Sequence, residues 1–554
     1  MKNYTIALLL VLFLFATLDS MVTAQVTQQW MAVYNGPSGS IDSVRNLAAD
    51  DVGNVYVTGS STSSTLLDYT TLKYSSSGVL LWEARYDGPA HYRDDARWMA
   101  IDNSGNVYVT GSSRSGVQAG TEDFATVKYD ANGIQQWAVR YDGPESSVDV
   151  GVKVAVDNSG NVYVAGYSYG NEIDYATIKY NSDGVQQWVA RYNGPGNSQD
   201  APTGLAVDNS GNVFVTGWSR STSAYGSEDY LTIKYNSSGA EQWIARYNGP
   251  LNLIDQAASI ALDGAGNVHV TGYCLSPSTQ TDYVTIKYNS DGAQQWMSSF
   301  NDSTVNGSDI ARMVVVDNSG NVYVTGTGNT GHPSGYPDYV TVKYNSSGTQ
   351  QWVSKYNGPG NTDDTPYSLA LDNSGNVYVT GRASVPGFLY DFATVKYNPS
   401  GVQLWEKRFN GASDLHDGAT WVAVDDSGNV YVAGNSMYYT NYASDYVVMK
   451  YAQSSPTGVE QASSNIPETL TLEQNYPNPF NPSTTIEFAL PQSNFVTLTI
   501  YNLLGQEVGI LVRGWREAGV YRVNFNAEGL PTGTYVYRLY AAGGVESKKL
   551  ILIK

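Results

Sequence analysis

Gly53-Asn54-Val55-Tyr56-Val57-Thr58-Gly59 decides the fold, because close variants of it recur seven more times along the chain. Their first glycines are Gly105, Gly160, Gly211, Gly266, Gly320, Gly375 and Gly428, spaced 51 to 55 residues apart. Each copy is followed by a second phrase, as in Asp68-Tyr69-Thr70-Thr71-Leu72-Lys73-Tyr74. A third follows that, as in Gln186-Gln187-Trp188-Val189-Ala190-Arg191-Tyr192-Asn193-Gly194-Pro195. In the fourth copy, Gly204 to Asp208 predicts a first strand, A, and Asn209-Ser210-Gly211-Asn212 a turn with glycine at positive φ. Val213 to Gly217 predicts strand B, Asp229 to Tyr235 strand C, and Ala240 to Tyr247 strand D. β-Branched and aromatic residues fill every run, and none has helical spacing.

Four antiparallel strands in every fifty-odd residues predict the blade of a β-propeller. One such sheet alone leaves both faces wet. Stacking blades around an axis buries both, which explains large residues on both alternations, as with Trp243 and Tyr247 against Ile244. Two tallies give eight blades. The B phrase occurs eight times, and so does the strand-D tryptophan: Trp30, Trp82, Trp137, Trp188, Trp243, Trp296, Trp352 and Trp405. A fully buried tryptophan contributes about 2–3 kcal/mol, so one per blade is a large term. Trp30 precedes the first B phrase, and no strand D follows the last strand C at Asp445 to Tyr451. The stretch Gln28 to Tyr34 is therefore expected to complete the eighth blade and remove the open edges of a row.

The chain has 554 residues, 44 Tyr, 12 Trp, 55 Gly and a net charge of −20. That composition suits a β-rich protein with many turns. The charge argues against nucleic acid, which requires a basic face, and against anionic lipid. The single cysteine, Cys274, excludes an intrachain disulfide and Cys-rich zinc sites. Residues 1–24 read as a secretory signal peptide: Lys2, the apolar run Ile6 to Ala16, and Val22-Thr23-Ala24 before a cleavage near Gln25. The apolar run is shorter than the roughly 18 residues a span needs, and no later segment reads as a transmembrane helix.

The expected domains are the propeller over 25–451, a Ser- and Pro-rich linker over 452–467, and a small β-sandwich over 468–554. Short strands are expected at Thr484 to Leu490, Val496 to Tyr501, Tyr521 to Phe525 and Thr534 to Leu539. The fold class is thus all-β: an eight-bladed propeller closed by an N-terminal strand, then a sandwich.

Asp157-Asn158-Ser159-Gly160-Asn161-Val162-Tyr163-Val164 and its equivalents resemble the beta-propeller repeat of secreted bacterial proteins, which implies a fold but no settled activity. Gln474-Asn475-Tyr476-Pro477-Asn478-Pro479-Phe480-Asn481-Pro482, Ile500-Tyr501-Asn502 to Gly505, Gly533-Thr534-Tyr535 and the Lys-rich end at Lys554 resemble the C-terminal sorting domain of type IX secretion. That resemblance implies a Bacteroidetes-like source, the type IX machinery as partner, and delivery outside the cell or to its surface. The alternative for this segment is a carbohydrate-binding sandwich.

Two aspartate sets recur. One opens strand C: Asp68, Asp123, Asp174, Asp229, Asp282, Asp338, Asp391 and Asp445. Counting across the C–D turn places Asp68 opposite Arg85, Asp123 opposite Arg140, Asp174 opposite Arg191, Asp229 opposite Arg246, Asp338 opposite Lys355 and Asp391 opposite Arg408. These read as structural charge pairs. The other set is Asp42, Asp94, Asp149, Asp200, Asp255, Asp309, Asp364 and Asp417, in the D–A connection. It has two readings: a ring of carboxylates holding a cation such as calcium, or acceptors for backbone N–H groups. The strand-C lysines, such as Lys179, read as inter-blade contacts.

No catalytic motif appears. Adjacent cysteines of the pyrroloquinoline-quinone dehydrogenases are missing, and Ser182-Asp183-Gly184-Val185-Gln186-Gln187-Trp188 has the wrong spacing for a sialidase box. No catalytic residue or organic cofactor is assigned. His269 takes a core tyrosine position in strand B. Two function classes remain. One is a binding or display protein for a glycan or protein ligand. The other is an extracellular hydrolase or lyase with a site built from loops. The B–C loops vary while the A–B and C–D turns repeat, so a ligand is expected on the B–C face, with Tyr336, Tyr439 and Tyr442 as candidate contacts.

Overall fold

The computed structural model describes residues 26–63, 66–116, 120–276, 280–302, 307–329, 335–387, 389–438, 443–453, 459–463, 467–503, 505, 507–516, 518–527, 530–541 and 544–553. The signal segment, Tyr439 and Tyr442 lie outside them. Two compact units are present, one over Val26–Gln453 and one within Ser454–Lys554.

In the first unit the described residues form eight four-stranded antiparallel sheets. Seven use consecutive strands. Blade 1 is Asp42–Ala49, Val55–Thr62, Leu67–Tyr74 and Leu80–Tyr86, and blade 3 is Asp149–Val156, Val162–Tyr169, Ile173–Tyr180 and Gln186–Tyr192. The eighth sheet joins the ends of the unit: Val26–Tyr34 pairs with strand C at Ala443–Gln453, with Tyr34 opposite Tyr446. The A strands touch one another in sequence order, and the first, Asp42–Ala49, also touches the last, Asp417–Val424. Strands A are therefore innermost. Strands B are buried on both faces: Val162, Tyr163 and Val164 are all fully inaccessible.

Adjacent blades are held by a repeated clasp. The indole N–H of Trp188 donates to the carbonyl of Ser237 in the next blade at 3.2 Å, and Lys179 Nζ reaches the same oxygen at 3.2 Å. Trp82 and Lys73 do the same at Ala131, and Trp30 and Lys450 at Ser76. The turn must carry glycine. Gly239 has φ +84°, and a Cβ there would sit 2.6 Å from Trp188 Cδ2. Seven of the eight strand-C lysines are thus inter-blade contacts, whereas Lys287 pairs with Asp263 of its own blade at 3.2 Å. The tryptophans are not fully buried as expected: seven are half-buried, and only Trp405 is 7% exposed. One face packs on the neighbour's turn while the outer edge stays open.

The C–D register differs from the count across a four-residue turn. Tyr180 pairs with Gln186, and a bulge follows, so Arg191 lies opposite Ala176 rather than Asp174. The shift is two residues, which keeps the arginine on the same face as the aspartate. The charge pairs survive as diagonals, with one exception described below.

Every A–B pair carries a bulge at one position, between Val44 and Asn46 in blade 1 and between Ala96 and Trp98 in blade 2. The other six bulges leave out Val152, Thr203, Ala258, Arg312, Tyr367 and Thr420. Strand A also begins earlier than expected, at Asp200 rather than Gly204 in blade 4.

The second unit contains two four-stranded sheets whose residues share one core, including Ile486, Phe488, Leu498, Ile500, Tyr537 and Leu550. The expected linker, 452–467, is not wholly unstructured. Strand C of blade 8 runs to Gln453, and Val459–Ser463 is a strand beside Gly519–Asn526, with Val459 opposite Val523. A free sheet edge accepted a polar segment that composition alone reads as spacer. Glu507–Arg516 and Gly544–Leu552 are further strands missed by the sequence reading.

Candidate functional site

Blades 1 to 4 carry a complete polar row of Asp, Ser, Asp and Arg across their strands at the end bearing the B–C and D–A loops, and the other blades carry parts of it. In blade 3, Asp149 on strand A faces Ser168 on B, and Ser168 faces Asp174 on C. Arg191 on D donates to Ser168 Oγ at 2.6 Å and to Asp174 at 3.3 Å. Arg140 pairs with Asp123 at 2.8 Å, Arg246 with Asp229 at 3.1 Å, Arg408 with Asp391 at 2.7 Å and Arg85 with Asp68 at 3.5 Å. In five blades the two aspartates therefore belong to one network, linked by a serine that sequence reasoning passed over. The signal was present: Ser61, Ser113, Ser168, Ser219 and Ser436 follow the B phrase at a fixed distance. Blade 6 departs from the pairing, since Lys355 binds Asp302 in the D–A connection and not Asp338.

The inner aspartates open strand A or immediately precede it, and are buried, from 0 to 2% exposed. In each the carboxylate accepts a backbone N–H from the D–A connection. Gly36 donates to Asp42 at 2.6 Å, Gly88 to Asp94 at 2.6 Å, Gly143 to Asp149 at 2.6 Å and Gly194 to Asp200 at 2.6 Å. Gly249 donates to Asp255 at 2.5 Å, Asp302 to Asp309 at 2.9 Å, Gly358 to Asp364 at 2.5 Å and Gly411 to Asp417 at 2.5 Å. This is the geometry of the backbone-acceptor reading. Burial pushes all eight carboxyls upward, Asp94 and Asp309 to about 6 and Asp255 to about 7. Asp255 rises furthest in the blade where Cys274 replaces the serine and Ser299 the arginine.

Among the described residues, three carboxylates meet at two places between blades: Asp68, Asp87 and Asp94, and Asp123, Asp142 and Asp149, with their ligand atoms within 4.8 Å. These are where a divalent cation would find oxygen ligands. Each already has a guanidinium at one member, Arg85 at Asp68 and Arg140 at Asp123.

Against this repeated frame, the bulged residues of strand A differ from blade to blade. In chain order they are Arg45, Arg97, Val152, Thr203, Ala258, Arg312, Tyr367 and Thr420, and none is buried although buried residues flank them. A bulge releases one residue from the ladder and re-aims its side chain. Arg312 lies over the Tyr367 ring at 5.6 Å, bridging blades 6 and 7. Arg45 and Arg97 converge on Asp95, at 3.7 and 3.3 Å. One register position on a rigid scaffold is thus free to vary.

Of the candidate tyrosines, Tyr336 is half-buried just before strand C of blade 6. His269 is fully inaccessible and held near 4 by burial, with Asp263 at 3.3 Å from Nε2. No helix among the described residues is long and apolar enough to cross a membrane.

Comparison with known proteins agrees with both parts of the chain. The Beta-propeller repeat matches residues 29–66, 136–174, 187–223, 242–275 and 351–388. The Secretion system C-terminal sorting domain matches residues 474–554. No curated protein matches the chain. Among solved structures, a chain described provisionally as a gluconolactonase is 11% identical with a TM-score of 0.28, over 54% of this chain and 88% of that one. A lignostilbene dioxygenase from Pseudomonas brassicacearum is 10% identical with a TM-score of 0.33, over 61% of this chain and 86% of that one. Similarity at this level says nothing about activity.

Proposed function

We propose that this chain, which carries beta-propeller repeats and a C-terminal sorting domain and is exported by type IX secretion, is a binding or scaffold protein at the cell surface or beyond it. Its propeller is a closed ring of eight blades, and its C-terminal unit a β-sandwich that addresses the type IX machinery. The pairing of Val26–Tyr34 with the last strand C, and the contact between the first and last A strands, support closure. The shared core of the two C-terminal sheets supports the sandwich.

The observation that carries the binding reading is the division between repeated and varied positions. The strand-D Trp, the strand-C Lys and both Asp sets repeat in all eight blades, and the Ser and the Arg each in five. The bulged residue of strand A does not, and it lies within three residues of the B–C face. Recognition on rigid scaffolds sits at such varied positions. The ligand is a glycan or a peptide held at the mouth of the ring. Tyr336 belongs to a loop on that face, and Tyr439 and Tyr442 lie outside the described residues. A hydrolase or lyase is the second reading, and it needs an acid–base pair converging there. An array of glycans and peptides, probed with the chain from Gln25 onward, tests this. Retention of one chemical class without turnover is expected. Turnover of an arrayed substrate would favour the enzyme.

A further inference from the structure

Three guanidinium groups converge on one carboxylate where blades 1 and 2 meet. Arg45, Arg93 and Arg97 approach Asp95 at 3.7, 3.8 and 3.3 Å. The aspartate is shut in, with 6% of its side chain exposed, while the arginines are open at 39, 56 and 41%. Ser60 Oγ fixes the carboxylate from below, donating to Oδ1 at 2.8 Å. Asp95 thus gathers the arginines from beneath and leaves two positive charges in excess facing solvent. None of this is part of the repeat. At the Asp95 position the other blades have Ser43, Val150, Ala201, Gln256, Ile310, Thr365 and Gly418.

Like charges gathered this closely repel, and the arrangement does nothing for the ring that seven other blades do not manage without it. A guanidinium presents a planar fork of N–H donors matched to oxyanions, and several around one point bind them better than a scattered set. In a chain of net charge −20, a local basic patch is an exception to the overall field. That field is screened beyond about 8 Å at physiological salt, so a short-range site still acts. Tyr167, on strand B of blade 3, lies close enough to Arg97 and Asp95 to feel both charges, and it is half-exposed. An aromatic ring beside an oxyanion site suits a sugar ring whose acid group enters the arginines.

We propose that Arg45, Arg93 and Arg97 form an oxyanion site for the carboxylate or sulfate groups of an acidic saccharide. This deepens the binding reading above and rests on it.

The test is titration calorimetry with the chain from Gln25 onward in 150 mM salt, using polygalacturonate, dextran sulfate, neutral dextran and poly-L-glutamate. Polygalacturonate or dextran sulfate is expected to bind, and which of them binds separates a carboxylate source from a sulfate one. Arg45→Gln with Arg97→Gln should weaken that binding at least tenfold at an unchanged melting temperature. Ser319→Ala, in an A–B turn on the opposite face, should leave it unchanged. Should the pair fail to fold, Arg93→Gln alone, in the D–A connection, should weaken binding severalfold. Unchanged affinity in these variants overturns the proposal, as does equal binding of neutral dextran or preference for poly-L-glutamate. If instead the array finds a ligand sensitive to Arg312 and not to Arg45, the broader binding reading stands and this site falls.

Discussion

Trp405 donates its indole N–H to the side-chain Oε1 of Gln453 at 3.3 Å, whereas the other seven strand-D tryptophans donate to a main-chain carbonyl of a C–D turn. The eighth blade has no C–D turn, because its strands C and D come from opposite ends of the propeller unit. Gln453 stands in for it. It also accepts from Lys396 at 2.6 Å and donates to Tyr378 at 2.8 Å and to the Gly428 carbonyl at 2.7 Å. Gln453→Ala removes all four of these bonds at one blade junction and leaves the Trp405 indole N–H without its partner. A loss of about 1–3 kcal/mol is expected in denaturant titration, and Gln453→Glu should recover part of it through Lys396. A loss below 0.5 kcal/mol would show that the junction is held by packing alone.

The N-terminal strand supplies the whole outer edge of blade 8, with eight residue pairs to strand C. A chain beginning at Asn35 exposes that edge and removes the Trp30 clasp to Ser76. Its melting temperature should fall by about 5 °C or more, or the chain should aggregate, since a strand's packing is worth several kcal/mol. A shift of only a degree or two would mean that the blades are not joined through this strand.

Much of this was legible before any coordinates. Repeat spacing, strand order and the pairing of Gln28 to Tyr34 with the last strand C follow from residue identity, because turn glycines and strand tryptophans recur in fixed phase. The C–D register was not legible, because a bulge after the turn leaves no residue signature. Nor were the strand-A bulges, since Arg45 and Arg97 look like ordinary outward residues until the ladder skips them. The strand Val459–Ser463 was hidden by composition: its pairing depends on an edge formed sixty residues later.

The eight inner carboxyls make stability depend on pH, and Asp255 has the largest stake. Its pKa is pushed up to about 7 by burial. The native state then binds more protons than the unfolded chain between about pH 4 and 7, so this group's contribution to stability falls as pH rises through that window. Asp255→Asn keeps an oxygen for the Gly249 N–H and cannot ionise. By calorimetry it should melt a few degrees above the parent at pH 8, with the gain shrinking toward zero at pH 4. An equal difference at both values would place the Asp255 pKa in the ordinary carboxylate range.

The sorting-domain match predicts that export depends on the second unit. A chain ending before Leu472 should keep a folded propeller, judged by an unchanged near-UV spectrum of its tryptophans, and should fail to reach the cell surface or medium of a type IX-competent host. Surface protease shaving reports the outcome. Normal delivery of the truncated chain would remove the sorting role from residues 474–554.

The binding proposal places recognition on the face bearing the strand-A bulges and not on the face of repeated turns. The direct measurement is affinity for the best array ligand in two sets of variants. One changes bulge residues, Arg45→Ala, Arg97→Ala, Arg312→Ala and Tyr367→Ala. The other changes exposed turn residues on the opposite face, Ser159→Ala, Ser210→Ala, Ser319→Ala and Ser374→Ala, which are serines of the A–B turns. At least one bulge substitution should weaken binding tenfold or more, about 1.4 kcal/mol, while every turn substitution leaves it within twofold. Loss from the turn set equal to that from the bulge set would contradict the account.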